Sequence, residues 1–396
     1  MTSSDSLTRL NSLELSVQTM VEIEAHRRVA DYQPENKNDD TANLLRICFK
    51  YLPEDGRSNL AEDIRHCESD KELKQLAERI DTGLLRPMMA MAMVMAKGAQ
   101  SPTVPPPRFG IEDSESESAS ASAVFRNDQE RLRADCLRRD GNMCVISKTY
   151  NVDAATIPAG FKTMSLAAAH IVPFSLGVFK FQDDTDTETD TDTEESRNTE
   201  LWTNLSRYFP SIQSRLKFPS EAVVNSVKNV MMLGTPLHKV FSQFNLAFEP
   251  TDDDIPNRYR IETFARFSTG YDIFFPRDRI VTFTTYDPPD TDSPPRPSSA
   301  LPSKTLLEIH CAIARMLDAT GRAELVRQIR RERDESGAAV LASDGSTNIQ
   351  RLLSITELSF RASPRNNNAA QGRHGHGHGH GHGHGHTHQH QHQHQH

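Results

Sequence analysis

Apolar residues recur at helical spacing through the first hundred positions of the chain. Leu13, Val17, Met20, Val21 and Ile23 form one approximate stripe, and Leu44, Leu45, Ile47, Cys48 and Tyr51 form a second. Two amphipathic helices are predicted. The polar run from Asp31 to Asp40 separates them, and Pro34 stops the first, because proline brings no N–H to a helix and clashes with the turn before it. Leu60 to Leu84 continues the helical pattern. Leu84 to Ala96 reads as a packed helix: its apolar part is shorter than the ~20 residues a membrane span needs, and it contains Arg86 and Pro87. His26 and His66 fall among charged residues and read as surface histidines.

Further along, the period shortens. Arg138 to Ser147 reads as a polar turn before a short strand, and Leu166 to Pro173 as a strand that is apolar except for His170. Asn229 to Gly234 is another strand, after which Thr235-Pro236 makes a helix start, with a side-chain N-cap and proline at the first helical position. His238 then falls on the first helical turn. Asn245 to Glu249, Tyr259 to Phe264 and Arg279 to Thr284 have short strand patterns between turn residues. Beyond them, Thr305 to Glu308 has the form of a capping box, and Leu306, Ile309, Ile313, Met316 and Leu317 make the inner stripe of a helix. Arg322 to Arg333 carries five arginines against Glu324 and Glu332 and reads as a solvated helix face, with phosphate contact as the minor alternative.

These patterns predict an α+β protein. A helical N-terminal region spans 1–98, a linker rich in proline, serine and acidic residues 99–123, and a central domain 124–286 that is interrupted by an acidic loop at 183–196. A Pro/Ser linker follows at 287–302, a helical segment at 303–335, and a tail at 336–396. With 36% hydrophobic residues and a mean hydropathy of −0.59, the chain is too polar to be packed core throughout.

The net charge of −9 gives no support for nucleic-acid binding taken alone, but Asp183 to Glu195 holds eight acidic residues and no basic one, so almost all of that charge sits in one tract. Five scattered cysteines without a Cys-x-x-Cys pair, and no leader pattern, predict reduced thiols in an intracellular protein of the nucleus or cytoplasm. The tail alternates histidine with glycine from His374 to His386 and with threonine or glutamine from His388 to His396. Those twelve imidazoles could chelate nickel, copper or zinc.

His170-Ile171-Val172-Pro173, then Asn229, then His238 nine residues later, make an ordered set. It resembles the HNH endonuclease family of the ββα-metal fold, in the branch with Ala-His-Ile in place of Asp-His-Ile. The resemblance covers roughly residues 130–250. It implies metal-dependent hydrolysis of DNA phosphodiester bonds with a divalent cofactor (Mg, Mn, Zn or Ni). It casts His170 as the general base, for which a pKa near neutrality is suited, and His238 as a metal ligand, with His170 a second candidate ligand. Asn229 would bond backbone across the long excursion and so orient His170. The implied partner is DNA, without a membrane. Ala169 stands where many relatives carry a metal-binding aspartate, so two other readings remain open at this point. One is a degenerate module that holds nucleic acid or protein without cutting. The other is a metal-sequestering protein acting through its histidine tail.

Overall fold

The structure is a computed structural model, and it describes residues 19–98, 129–173, 192–216, 226–286 and 300–335. Helix α1 covers residues 19–30, followed by α2 (Thr41–Tyr51), α3 (Glu54–Arg65), α4 (Asp70–Ile80), a π-helical turn (Asp81–Leu85) and α5 (Arg86–Gly98). Helix α6 covers residues 129–139, and after it come β1 (Tyr150–Asn151), β2 (Thr163–Met164), β3 (Leu166–His170), α7 (Asp192–Tyr208) and α8 (Ser211–Leu216). The chain continues through β4 (Val230–Gly234), α9 (Thr235–Ser242), β5 (Leu246–Pro250), β6 (Arg258–Thr263), β7 (Ile280–Thr282), α10 (Lys304–Ala319) and α11 (Arg322–Glu335). The class is α+β.

The strands form three small sheets. β1 and β2 pair in parallel, β3 and β4 pair antiparallel, and β5, β6 and β7 form an antiparallel meander in that order. In the β3–β4 pair, Ala169 lies opposite Met231 and His170 opposite Val230. Helix α9 follows β4 directly and packs on β3, β4, β5 and α5, while α10 lies along β5 and also touches α2. One hydrophobic cluster runs from Ala25 of α1 to Val326 of α11 and includes all five residues of the stripe predicted for α10. Full burial of a leucine or isoleucine there contributes about 1.5–3 kcal/mol.

Several local expectations are corrected. In α1, Met20 and Ile23 are exposed, and the buried positions are Ala25 and Val29; Leu13 and Val17 lie outside the described residues. The stretch from Leu60 to Leu84 is two helices and a π turn, because Ser69 and Glu72 form a reciprocal capping box that starts α4 anew. The residues after Arg138 form a turn with a single bridge between Met143 and Tyr150, not a strand; Gly141 and Asn142 both take positive φ there. β3 ends at His170, before the proline. Thr235 does not cap α9: Gly234 is the N-cap, and the Thr235 hydroxyl donates to the Ser165 carbonyl at 3.0 Å. Thr305 lies inside α10, whose N-cap is Ser303 without a side-chain bond.

Arg322 is a further correction, since its side chain is buried rather than solvated. It pairs with Asp40 at 2.7 Å and with Asp81 at 2.8 Å, and Asp81 also accepts from Arg86. The linker at 99–123 and the tail at 336–396 lie outside the described residues, as does most of the acidic loop, although its last residues begin α7. Of the 287–302 stretch, residues 300–302 are described and Pro302 is buried.

Two devices draw distant segments together. Gly56 of α3 lies against the α7 backbone, so close that a Cβ would stand 2.0 Å from the Tyr208 carbonyl oxygen. Nearby, Asp63 accepts from Arg207 at 2.8 Å and from the Tyr208 hydroxyl at 2.9 Å. The second device is the adjacent pair Arg139 and Asp140, both buried and bonded side by side at 2.7 and 2.9 Å. The Arg139 guanidinium also donates to the Val230 carbonyl at 2.8 Å and to the Val227 carbonyl at 2.5 Å, while Asp140 accepts from the Met232 N–H at 2.9 Å.

Removing one half of such a pair leaves the other charge buried without its partner. Asp140→Ala is therefore expected to lower unfolding free energy by about 3–5 kcal/mol, read from urea denaturation. A change within 0–1 kcal/mol, of the order seen for an exposed ion pair, would contradict the structural role assigned to it.

Candidate functional site

The β3–β4 pair and α9 build the site. His170 is the last residue of β3, and Asn229 is the last residue of a 3-10 turn immediately before β4. His238 is the fourth residue of α9. Strand alternation places His170 on the sheet face opposite Ala169, which is fully buried. Because α9 packs on β3, the two imidazoles come close enough for charge on His238 to depress the pKa of His170.

Asn229 is completely buried and ties the two chain ends of the long excursion together. Its Oδ1 accepts from the Val172 N–H at 2.9 Å, and its Nδ2 donates to the Val172 carbonyl at 2.9 Å. Its own carbonyl accepts from the Ile171 N–H at 2.9 Å. Three bonds thus extend the β3–β4 ladder past His170, where the chain departs toward the segment outside the described residues.

Burial dominates the electrostatics. His170 retains a partly exposed surface, yet loss of hydration, with a smaller push from His238, takes its pKa down to about 3. Burial alone takes His238 down to about 4. Both rings are neutral at neutral pH, in contrast to the near-neutral pKa expected for His170. Neutral imidazole is the form that offers a nitrogen lone pair to a cation or a proton. His238 Nδ1 is buried without a protein hydrogen-bond partner.

This donor set suits a divalent ion in part. It supplies two imidazoles, one of them with an unpartnered buried nitrogen. No group of three His, Cys, Asp or Glu side chains gathers in metal-binding fashion among the described residues.

No motif in the sequence marks Arg139 and Asp140, although the Arg-Asp step directly precedes a glycine turn. Their signal is slight: adjacent opposite charges next to buried Cys136 and Cys144. His310 is a third buried imidazole, stacked on Phe241 at 4.0 Å and Phe244 at 4.4 Å, with Nε2 3.3 Å from the Phe241 carbonyl. Burial lowers its pKa to about 3, and it serves packing.

A strand pair followed directly by a helix, with one histidine on the first strand and one on the first helical turn, makes a ββα module. Residues 144–249 match the family model described as HNH endonuclease, and this segment, which holds His170, Asn229 and His238, is an HNH-family domain. No curated protein and no solved structure matches the chain. No helix among the described residues is long and apolar enough to cross a membrane.

Two outcomes follow. Asn229→Ala strands the buried Val172 N–H and carbonyl, at about 1–3 kcal/mol for each orphaned group; calorimetric unfolding should show the loss, and an unchanged Tm would refute it. The second concerns pH. Unfolded histidine titrates near 6.5, whereas His170, His238 and His310 titrate near 3, 4 and 3 when folded. The unfolded chain therefore binds protons first as pH falls. The stability these groups contribute is complete above about 6.5 and is lost toward pH 4, at up to about 1.4 kcal/mol per pH unit for each histidine. Thermal melts with chelator at pH 7.5, 6 and 5 should show a steepening fall in Tm, and a flat profile would contradict the burial.

Proposed function

We propose that the chain is a metal-dependent endonuclease that hydrolyses phosphodiester bonds in DNA, with His170, His238 and Asn229 as its site residues. The observation that carries this reading is the approach of two neutral imidazoles, His238 buried and His170 partly exposed, at the strand–helix junction of an HNH-family segment. His238 would hold the metal, with His170 as a candidate second donor. A purely imidazole donor set favours zinc or nickel over magnesium and manganese, which prefer oxygen. When bound, the ion would polarise the scissile phosphate and stabilise the leaving oxygen.

His170, as base, would take the proton of the attacking water while that oxygen bonds to phosphorus. At a pKa of about 3 it is a weak acceptor. The anionic phosphate of a bound strand would favour imidazolium and raise that value toward the working pH. Asn229 would position His170 by fixing the chain at Ile171 and Val172.

Ala169 supports a second reading. It is buried and cannot ligate, and the two histidines are not joined by a third ligand among the described residues. A module so depleted could bind nucleic acid or a protein without cutting. A third reading, metal sequestration, rests on the histidine tail alone.

Plasmid nicking by the full chain with Mg, Mn, Ni or Zn separates the readings. Cleavage is expected with at least one ion, with His170→Ala reducing the rate by about 10²–10⁴-fold and His238→Ala abolishing it. Nicking in none of the four would remove the nuclease reading. Nicking at the wild-type rate in His170→Ala would remove the base assignment. Metal uptake lost on truncation before Pro364, with nicking absent, would favour sequestration.

A further inference from the structure

We infer that the groove between α2, α8, β5 and α10 is the docking site of a segment of this same chain, residues 351–365. The docking goes beyond the nuclease reading and stands without it.

The groove has a volume of about 770 Å³, within the range of about 300–1,000 Å³ typical of sites that take small ligands. It lies where four parts of the chain meet: the α2–α3 junction from Tyr51 to Asp55, the start of α8, the end of β5, and the first three turns of α10. Leu52, Phe209 and Ile309 line it with apolar side chains.

Its charge is unbalanced. Arg315 is held by Glu249 and Glu262, and Lys304 lies 3.8 Å from Glu308. Among the described residues that line the groove, this leaves Glu54, Asp55 and Asp252 without an ion pair, against Arg215 alone. All three carboxylates are on exposed residues. Such a groove fits a ligand that joins apolar side chains to a surplus of positive charge.

One stretch of the chain has that chemistry. Residues 351–365, which lie outside the described residues, carry Leu352, Leu353, Ile355, Leu358 and Phe360, with Arg351, Arg361 and Arg365 against Glu357. The other stretches outside the described residues lack the combination. Those at 1–18, 99–128, 174–191, 287–299 and 336–350 carry net negative side-chain charge, 217–225 is neutral, and 366–396 has no large apolar residue.

The segment is also within reach. Helix α11 follows α10 after two residues, and their 16 and 14 residues measure about 24 and 21 Å. The 15 residues between Glu335 and Arg351 span up to about 50 Å. The segment can therefore meet the groove on its own molecule, and the tether gives it a local concentration that a free peptide lacks.

The test uses the full chain and a labelled peptide with the sequence of residues 351–365, read by fluorescence anisotropy. Wild type is expected to bind the peptide weakly, because its own segment fills the groove. Phe360→Asp, which removes an apolar anchor from that segment, is expected to raise peptide affinity at least about tenfold. In the Phe360→Asp chain, Asp252→Lys and Glu54→Lys are each expected to weaken the peptide about tenfold at low salt. Asp278→Lys, at an exposed position on the β6–β7 turn, should leave binding unaltered. Thermal melts of each variant confirm that the fold is kept, as expected at exposed positions.

Absence of peptide binding, equal binding by wild type and Phe360→Asp, or unchanged affinity in both Asp252→Lys and Glu54→Lys would overturn the proposal. A wild-type dimer that Phe360→Asp converts to monomer on size-exclusion chromatography would seat the segment in a second copy, and would overturn docking within one chain.

Discussion

Arg139 and Asp140 stand at the end of α6 and act as a strand would on the free edge of β4. On its inner edge β4 pairs with β3. On the outer edge, the Val230 carbonyl and the Met232 N–H are satisfied by the Arg139 guanidinium and the Asp140 carboxylate, and the Val145 N–H reaches the Met232 carbonyl at 2.9 Å. A two-stranded ladder is marginal on its own. Here side chains complete it, and the same guanidinium fixes Val227 beside Asn229. The register of β4 places His170 opposite Val230 and delivers the chain into α9, so the positions of both histidines depend on a charge pair that touches neither. Hydrophobic groups of similar shape could match its stability, but they could not bond a strand edge.

The other elements close on the same helix. α9 is only eight residues long, too short to be stable in isolation. β3 and β4 support it on one side and methionine-rich α5 on another, while α10 carries His310 between the rings of Phe241 and Phe244. The N-terminal and C-terminal helices thus share one core with the HNH segment, and the site helix draws its rigidity from parts of the chain outside the family match.

Periodicity made much of this legible. The strand after Asn229 and those after His238 lie within a residue or two of their expected places, because alternation and turn residues agree there, while β3 begins where expected and ends three residues early. The inner stripe of α10 is buried in full for the same reason. The spacing of His170, Asn229 and His238 pointed to an HNH-family segment, which the family match bears out. Local chemistry with several solutions was less legible. Thr235 and Thr305 both resemble caps, but each helix begins one residue or more earlier and the hydroxyl of Thr235 finds Ser165 instead. Arg322 resembles its exposed neighbours in sequence, and only the tertiary arrangement brings Asp40 and Asp81 to it. The depressed pKa values of His170 and His238 arise from packing that no motif encodes.

Arg322 also bears on when the molecule can first be complete. It bonds Asp40 across 282 positions of sequence, so α2 leaves the ribosome long before its counter-ion has been made. Contacts of such span cannot form during most of translation, and they slow the final closure. The early helices can gather among themselves, but Asp81 and Asp40 wait for the arginine, and α5 waits for both α9 and α11. Synthesis thereby acts as a timer, since a chain halted short of α11 would hold Asp40 and Asp81 without the arginine that joins them.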